Sequence, residues 1–312
     1  MSEPLPKNLS PPSSKPVIYA AMTGNGLIAL TKFAAALVTG SAAMFSEGIH
    51  SVADTGNQVL LLYGLRQSKK PASEAFPFGH GKEVYFWAFV VAILLFAVGA
   101  GVSLYQGFLH ILLPRPIENF GVNYAVLASA AVFEGAAWIF ALREFSKVKG
   151  KRGFIEAVRL GKDPSMFVVL FEDSAALLGL GFAFLGIYLS KLTGNTVYDG
   201  IASVFIGLIL GGTAIWLAHE TKGLLIGESA NKEVVQGIRE ICQKMPIVEN
   251  VNEILTMHMG PDFILVNISM DFNDAVAAGQ METAIAGLDL QIKKRFPRVK
   301  RVFVEAESRG AR

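Results

Sequence analysis

Six long apolar stretches constrain this chain more than anything else in it. They run approximately over residues 17–39, 45–65, 84–111, 122–142, 165–191 and 198–218, and each reaches the roughly 20 residues that an α-helix needs to cross the hydrocarbon core of a bilayer. With 52% hydrophobic and only 17% charged residues, the chain is too apolar for an ordinary soluble domain of its length. The reading is an integral, multi-pass α-helical membrane protein with six transmembrane helices. The links between the first and second stretches and between the fifth and sixth are short, which makes those pairs antiparallel hairpins.

Lysine and arginine set the orientation, because loops rich in them stay on the cytoplasmic side. Arg66, Lys69, Lys70 and Lys82 lie between the second and third stretches, and Arg143, Lys147, Lys149, Lys151, Arg152, Arg159 and Lys162 between the fourth and fifth. The opposite-side links carry only Arg115 and Lys191, so both termini are expected in the cytoplasm. Residues 1–16 read as a disordered cytoplasmic tail rich in Pro and Ser. They lack the apolar run of a signal peptide and the features of an organellar presequence, which favours a bacterial inner membrane.

Residues 17–220 form the expected membrane domain, and the pattern changes at about residue 221. Val234, Val235, Ile238, Ile241, Cys242 and Met245 make one apolar stripe, predicting a helix over 231–245. Alternating segments at 249–259 and 263–272, separated by "GPD", predict a β-hairpin. Met281, Ala284, Ile285, Leu288 and Ile292 mark a second helix ended near Pro297, and "VKRVFVEA" a third strand. Residues 221–312 are thus a C-terminal cytoplasmic α+β domain. The net charge of +2 gives no reason to expect nucleic acid as a partner, and a single cysteine excludes an intrachain disulfide framework.

The second stretch contains "FSEGIHSVADTGNQ". At about 100° per residue, Glu47, His50, Asp54 and Asn57 fall within an arc of roughly 80° on one helix face. Ionisable groups at membrane depth cost a few kcal/mol each and default to a functional reading; the plainer alternative is hydrogen bonding to neighbouring helices. His50 and Asp54, at i and i+4, offer an imidazole nitrogen and a carboxylate oxygen to one point in space, a pair that zinc and its first-row neighbours accept. The fifth stretch brings Glu172 and Asp173 about two turns inside. Glu172 shares its face with Ala175, Ala176 and Gly179, small residues that let helices approach closely, and is the preferred third ligand. Asp173 is a fourth ligand or an orienting group. Two residues stay open between two roles, and one glycine pair carries a packing signal. Glu134 either pairs with Lys32 or supports the site, Asp199 either supports it or caps a helix, and Gly207 with Gly211 forms a weak close-packing signal.

Three passages carry a family resemblance: "TGSAAMFSEGIHSVAD", "FPFGHGKEVYFWA" and "VYDGIASVFIGLIL". The chain resembles the cation diffusion facilitators, nearest to their zinc transporter nine branch, over residues 17 to about 305. The resemblance implies a ferredoxin-like, metallochaperone-like fold for the C-terminal domain and a homodimer. It implies alternating-access export of a divalent cation, zinc first and manganese or iron next, in exchange for protons. The metal is cargo: no resident cofactor and no enzymatic activity are expected. Zinc members usually place a second HxxxD in the fifth span; here Glu172 stands at the histidine position and Ala176 at the aspartate position. Asp173, Glu47 or water then completes the site. His80 in "FGHGK" is expected to serve its turn, with at most a supporting role. By analogy with the family, Lys82 meets an acid near Glu228. The loss at Ala176 also admits a second reading, a non-transporting facilitator-like metal sensor or membrane partner subunit.

Overall fold

The computed structural model describes residues 14–117, 119–149, 153–160 and 163–308. Most of the expected tail, residues 1–13, and Lys151, Arg152 and Lys162 of the basic link lie outside the described residues. The chain packs as two compact units, one from Met1–Arg66 with Val84–Thr221 and one from Gln67–Glu83 with Lys222–Arg312.

The first unit is helical. It holds α1 (Ser14–Thr39), α2 (Ala42–Gln67), α3 (Glu83–Leu94), a π-helical stretch (Leu95–Ala100), α4 (Gly101–Leu112), α5 (Phe120–Lys149), α6 (Phe154–Leu160), α7 (Pro164–Thr193) and most of α8 (Val197–Ile226). Among the described residues, five helical stretches are long and apolar enough to cross a membrane: Met22–Thr39, Glu83–Leu112, Phe120–Lys147, Phe167–Thr193 and Val197–Ile226. The expectation was six. Helix α2 has the length, since its 26 residues extend about 39 Å at 1.5 Å per residue, but its polar residues dilute its apolar character. The link expected between the fourth and fifth spans contains the short helix α6, and α8 runs on beyond residue 218 to Ile226.

Glycine sets how closely these helices approach. A Cβ at Gly107 of α4 would stand 2.7 Å from the Val204 backbone nitrogen and 2.8 Å from the Gly200 carbonyl oxygen, both on α8. At Gly207 it would meet Leu104 at 2.7 Å, whereas Gly211 meets Ala100 at an ordinary 3.5 Å. Only the first half of the GxxxG pair therefore enforces close contact. The π-helical stretch lies in the same span, ending three residues before Ser103, and widens the turn that joins α3 to α4.

The second unit orders its elements α9 (Lys232–Gln243), β1 (Val248–Gly260), β2 (Phe263–Phe272), α10 (Ala278–Arg295) and β3 (Val299–Ala306), the succession read from the sequence. The sheet order is β1-β2-β3, with β1 antiparallel and β3 parallel to β2. A parallel partner requires a crossover connection, and α10 supplies it. The two predicted stripes meet the sheet: Ile238, Ile241 and Cys242 from α9 and Leu288 and Ile292 from α10 are buried with Val266, Ile268 and Met270 of β2. The segment before α3 belongs to this unit. Gly79, at φ +79°, turns the "FGHGK" loop, and an added Cβ on Gly81 would stand 2.3 Å from the Met259 carbonyl oxygen. His80 sits in that turn with its ring 4.4 Å from that of Phe76. Lys82 Nζ donates to the Leu225 carbonyl at 3.4 Å.

Two outcomes follow. Gly107→Ala, whose methyl group meets backbone that cannot yield, lowers stability by about 1–3 kcal/mol, measured as a fall in the thermal unfolding temperature of the detergent-solubilised protein. Cys242 is fully buried and burial pushes its thiol up to about 11, so the reactive thiolate is scarce at neutral pH. Alkylation of Cys242 at pH 7.5 is therefore slow in the folded chain and becomes rapid only on denaturation, as mass spectrometry reads.

Candidate functional site

Gly40, two residues before α2, turns the chain out of α1 with a φ of +71°. Ser41 caps the new helix: its hydroxyl accepts from the Met44 backbone N–H at 3.2 Å. Asp199, at the start of α8, reinforces that cap across 157 residues of sequence. It accepts from the Ala42 and Ala43 backbone N–H groups at 2.8 and 3.3 Å, and from the Ser41 hydroxyl at 2.9 Å. A carboxylate there satisfies orphan donors and complements the positive end of the helix. Of the two roles open for Asp199, the geometry gives it the capping one, on a helix other than its own. His110 Nε2 lies 3.9 Å from Asp199, beyond hydrogen-bonding distance.

One turn further along α2, the Ser46 and Ser203 hydroxyls share a 2.6 Å hydrogen bond. Glu47 turns toward a cation on α1. Lys32 Nζ donates to Glu47 Oε2 at 2.9 Å, to the Ser51 hydroxyl at 3.0 Å and to Glu134 Oε1 of α5 at 2.7 Å. All three ammonium donors are used, and Lys32 and Glu47 are both 0% exposed. Glu134 thus takes the Lys32 pairing that the sequence allowed. Glu47 joins that pair, and the space for its carboxylate comes from Gly179 of α7, where a Cβ would lie 2.5 Å from Glu47 Oε1.

His50 and Asp54 occupy the next turn, both buried. His50 Nδ1 lies 3.2 Å from Asp54 Oδ1, yet the two are not aligned as a hydrogen bond, and both atoms are left without one. Asp54 and Glu172 of α7 face each other within hydrogen-bonding reach, and Asn57 Nδ2 donates to Glu172 Oε1 at 2.6 Å. The structure therefore brings Glu172 to the His50–Asp54 face of α2. Asp173, on the adjacent side of α7, is also buried and lies within electrostatic range of Asp54, Glu172 and Glu134. His50 Nε2, Glu172 Oε2 and Asp173 Oδ2 likewise have no hydrogen-bond partner. Leaving a buried polar atom unsatisfied costs about 1–3 kcal/mol, so five such atoms in one region ask for a function. Among the described residues, no three His, Cys, Asp or Glu side chains already stand at metal-coordinating spacing.

Sequence reasoning did not find Ser41, Ser46, Ser51 or Ser203. A lone serine in an apolar helix gives no signal of which distant residue it meets. Gly179 was read from the sequence as a close-packing residue on the Glu172 face of α7, and the structure sets it against the Glu47 carboxylate. His80 lies in the second unit.

The cation efflux transmembrane domain matches residues 18–226. The proton-coupled zinc antiporter SLC30A9, mitochondrial, of Xenopus laevis is 36% identical over 262 residues, which is 83% of this chain and 47% of that protein. The human protein of that name is 34% identical over 83% of this chain and 46% of its own length. The chain thus spans about half the length of these two relatives. The manganese efflux system protein MneP of Bacillus subtilis is 22% identical over 93% of this chain and 95% of its own length.

The capping geometry predicts that Asp199→Ala destabilises the first unit by about 0.5–2 kcal/mol through loss of the α2 cap. Thermal unfolding of the purified protein measures it; a variant as stable as wild type would assign the α2 terminus to Ser41 alone.

Proposed function

This chain belongs to the cation diffusion facilitator family, and from that membership we propose that it exports a divalent metal cation, zinc first, in exchange for protons. The observation that carries the reading is the set of buried donor atoms without hydrogen bonds: His50 Nδ1 and Nε2, Asp54 Oδ1, Glu172 Oε2 and Asp173 Oδ2. One nitrogen and several carboxylate oxygens suit Zn²⁺, and the oxygen-rich share leaves Mn²⁺ and Fe²⁺ as further substrates. His50 and Asp54 form the ready pair. Binding draws Glu172, already at Asp54, and one further oxygen from Asp173 or water onto the ion. Ala176, fully buried one turn from Glu172, supplies no donor.

The coupling follows from the ligands. Imidazole and carboxylates bind metal only when deprotonated, so protons arriving from the far side release the ion, and the ion in turn displaces protons. Alternation between the two sides needs α2 and α7 to move as a pair, which the Asn57–Glu172 hydrogen bond supports. In this reading α2 is the sixth span. Its polar face turns inward, an even number of spans returns both termini to one side, and the lysines and arginines make that side cytoplasmic. The second unit, whose helix and strand order fits a ferredoxin-like fold, serves a homodimer. The relatives named for zinc and for manganese support a divalent cation as the cargo class.

The test is transport in proteoliposomes carrying a zinc-sensitive dye under an imposed pH gradient. Wild type moves Zn²⁺ and dissipates the gradient, and His50→Ala or Asp54→Ala lowers the rate by roughly ten- to a hundredfold, the scale of losing a metal-site group. Variants as fast as wild type would remove these residues from the route. A wild type that binds Zn²⁺ but moves none would favour the sensor or partner-subunit reading, for which Ala176 is the motivating observation.

A further inference from the structure

The Lys32 cluster has a charge and a geometry of its own. Its ammonium sits 2.7–3.0 Å from three oxygens, Glu47 Oε2, Glu134 Oε1 and Ser51 Oγ, drawn from α1, α2 and α5. None of the three charged side chains is more than 4% exposed. Glu47 Oε1 and Glu134 Oε2 keep no hydrogen bond. Take the ammonium away and the same place holds two carboxylate oxygens and a hydroxyl around one point. That is an all-oxygen cage of the kind that takes hard divalent cations, with bond lengths of roughly 2.0–2.6 Å. Two carboxylates would neutralise a divalent ion, whereas they exceed the charge of one ammonium.

The cage is also close to the proposed transport route. Glu47 stands one turn from His50 on the same face of α2, Glu134 is within electrostatic range of Asp54 and Asp173, and Lys32 is within that range of His50. Two more acids free to reach the cargo would turn a mixed nitrogen and oxygen shell into an oxygen-dominated one. Oxygen-dominated shells suit Mn²⁺, Mg²⁺ and Ca²⁺, while an imidazole-containing shell suits Zn²⁺.

We propose that Lys32 is a specificity-determining residue: its ammonium fills the Glu47–Glu134–Ser51 cage and thereby withholds both acids from hard divalent cations. The residue acts as a tethered cation that no ion gradient can remove. It differs from the ligands in never touching the cargo, and it rests on the transport reading above.

The experiment is equilibrium binding of Zn²⁺ alone and Mn²⁺ alone to the full chain in lipid nanodiscs, reported as ions bound per protomer and as the ratio of the two affinities. Wild type prefers Zn²⁺. Lys32→Met binds additional Mn²⁺ and shifts the ratio toward Mn²⁺ by about tenfold or more, equivalent to about 1.4 kcal/mol. Lys32→Arg keeps the wild-type ratio, and the combination of Lys32→Met with Glu47→Gln and Glu134→Gln returns to it. Single Glu47→Gln and Glu134→Gln variants, which do not depend on Lys32→Met folding, leave the ratio within about twofold of wild type. A wild-type ratio in Lys32→Met, a wild type that prefers Mn²⁺, or a Zn²⁺ affinity lost in either single glutamine variant would overturn the inference alone. A wild type that binds neither ion would sink the transport reading, and this inference with it.

Discussion

Charge taken out of water must meet an opposite charge, a proton or an ion, and the membrane unit of this protein is organised around that requirement. Among the described residues, five carboxylates besides the capping Asp199, namely Glu47, Asp54, Glu134, Glu172 and Asp173, are buried in it beside His50 and the ammonium of Lys32. Lys32 engages two of the acids directly. The other three sit with His50 where α2 faces α7, and their free oxygens are not matched by any hydrogen-bond donor. A buried set this rich in acid holds together only with further positive charge, and that is the physical basis for assigning it a cation as cargo.

Packing makes the arrangement possible. Gly179 removes the one carbon that would block the Glu47 carboxylate, so α7 can lie against α2 there, two turns along α7 from the level where Asn57 meets Glu172. At the other end of α2, Asp199 and Ser41 satisfy backbone donors that bulk lipid could not. Helix α2 is therefore fixed at its start by α8, at its middle by α1 and α5 through Lys32, and further along by α7 through Glu172. Its polar residues are thus tied to four separate helices, in addition to the apolar packing of Met44, Leu61 and Leu65.

Much of this was legible in the sequence because it is local. Apolar length gave the starts of the six long helical stretches to within three residues, while α5 and α8 run seven and eight residues past their expected ends; two stripes with two alternating segments gave the succession of helices and strands in the second unit. The 100° rule put Glu47, His50, Asp54 and Asn57 on one face, and the small residues sharing the face of Glu172 made it the preferred partner of α2, where Asn57 does meet it. What escaped was long-range. Asp199 caps a helix that begins 157 residues earlier, Lys32 recruits Glu47 as well as Glu134, and Gly81 lies against the Met259 carbonyl, none of which leaves a trace in periodicity. The expectation of six apolar spans also misses at α2, whose polar residues leave it outside the five helical stretches apolar enough to cross a membrane among the described residues.

The central claim is that His50, Asp54 and Glu172 surround one ion. X-ray absorption at the zinc edge on the Zn²⁺-loaded full chain tests it most directly. The account predicts a sulfur-free shell of one imidazole nitrogen with two or more oxygens, which loses its imidazole signature in His50→Ala. A shell containing sulfur, or one unchanged by that substitution, would contradict it.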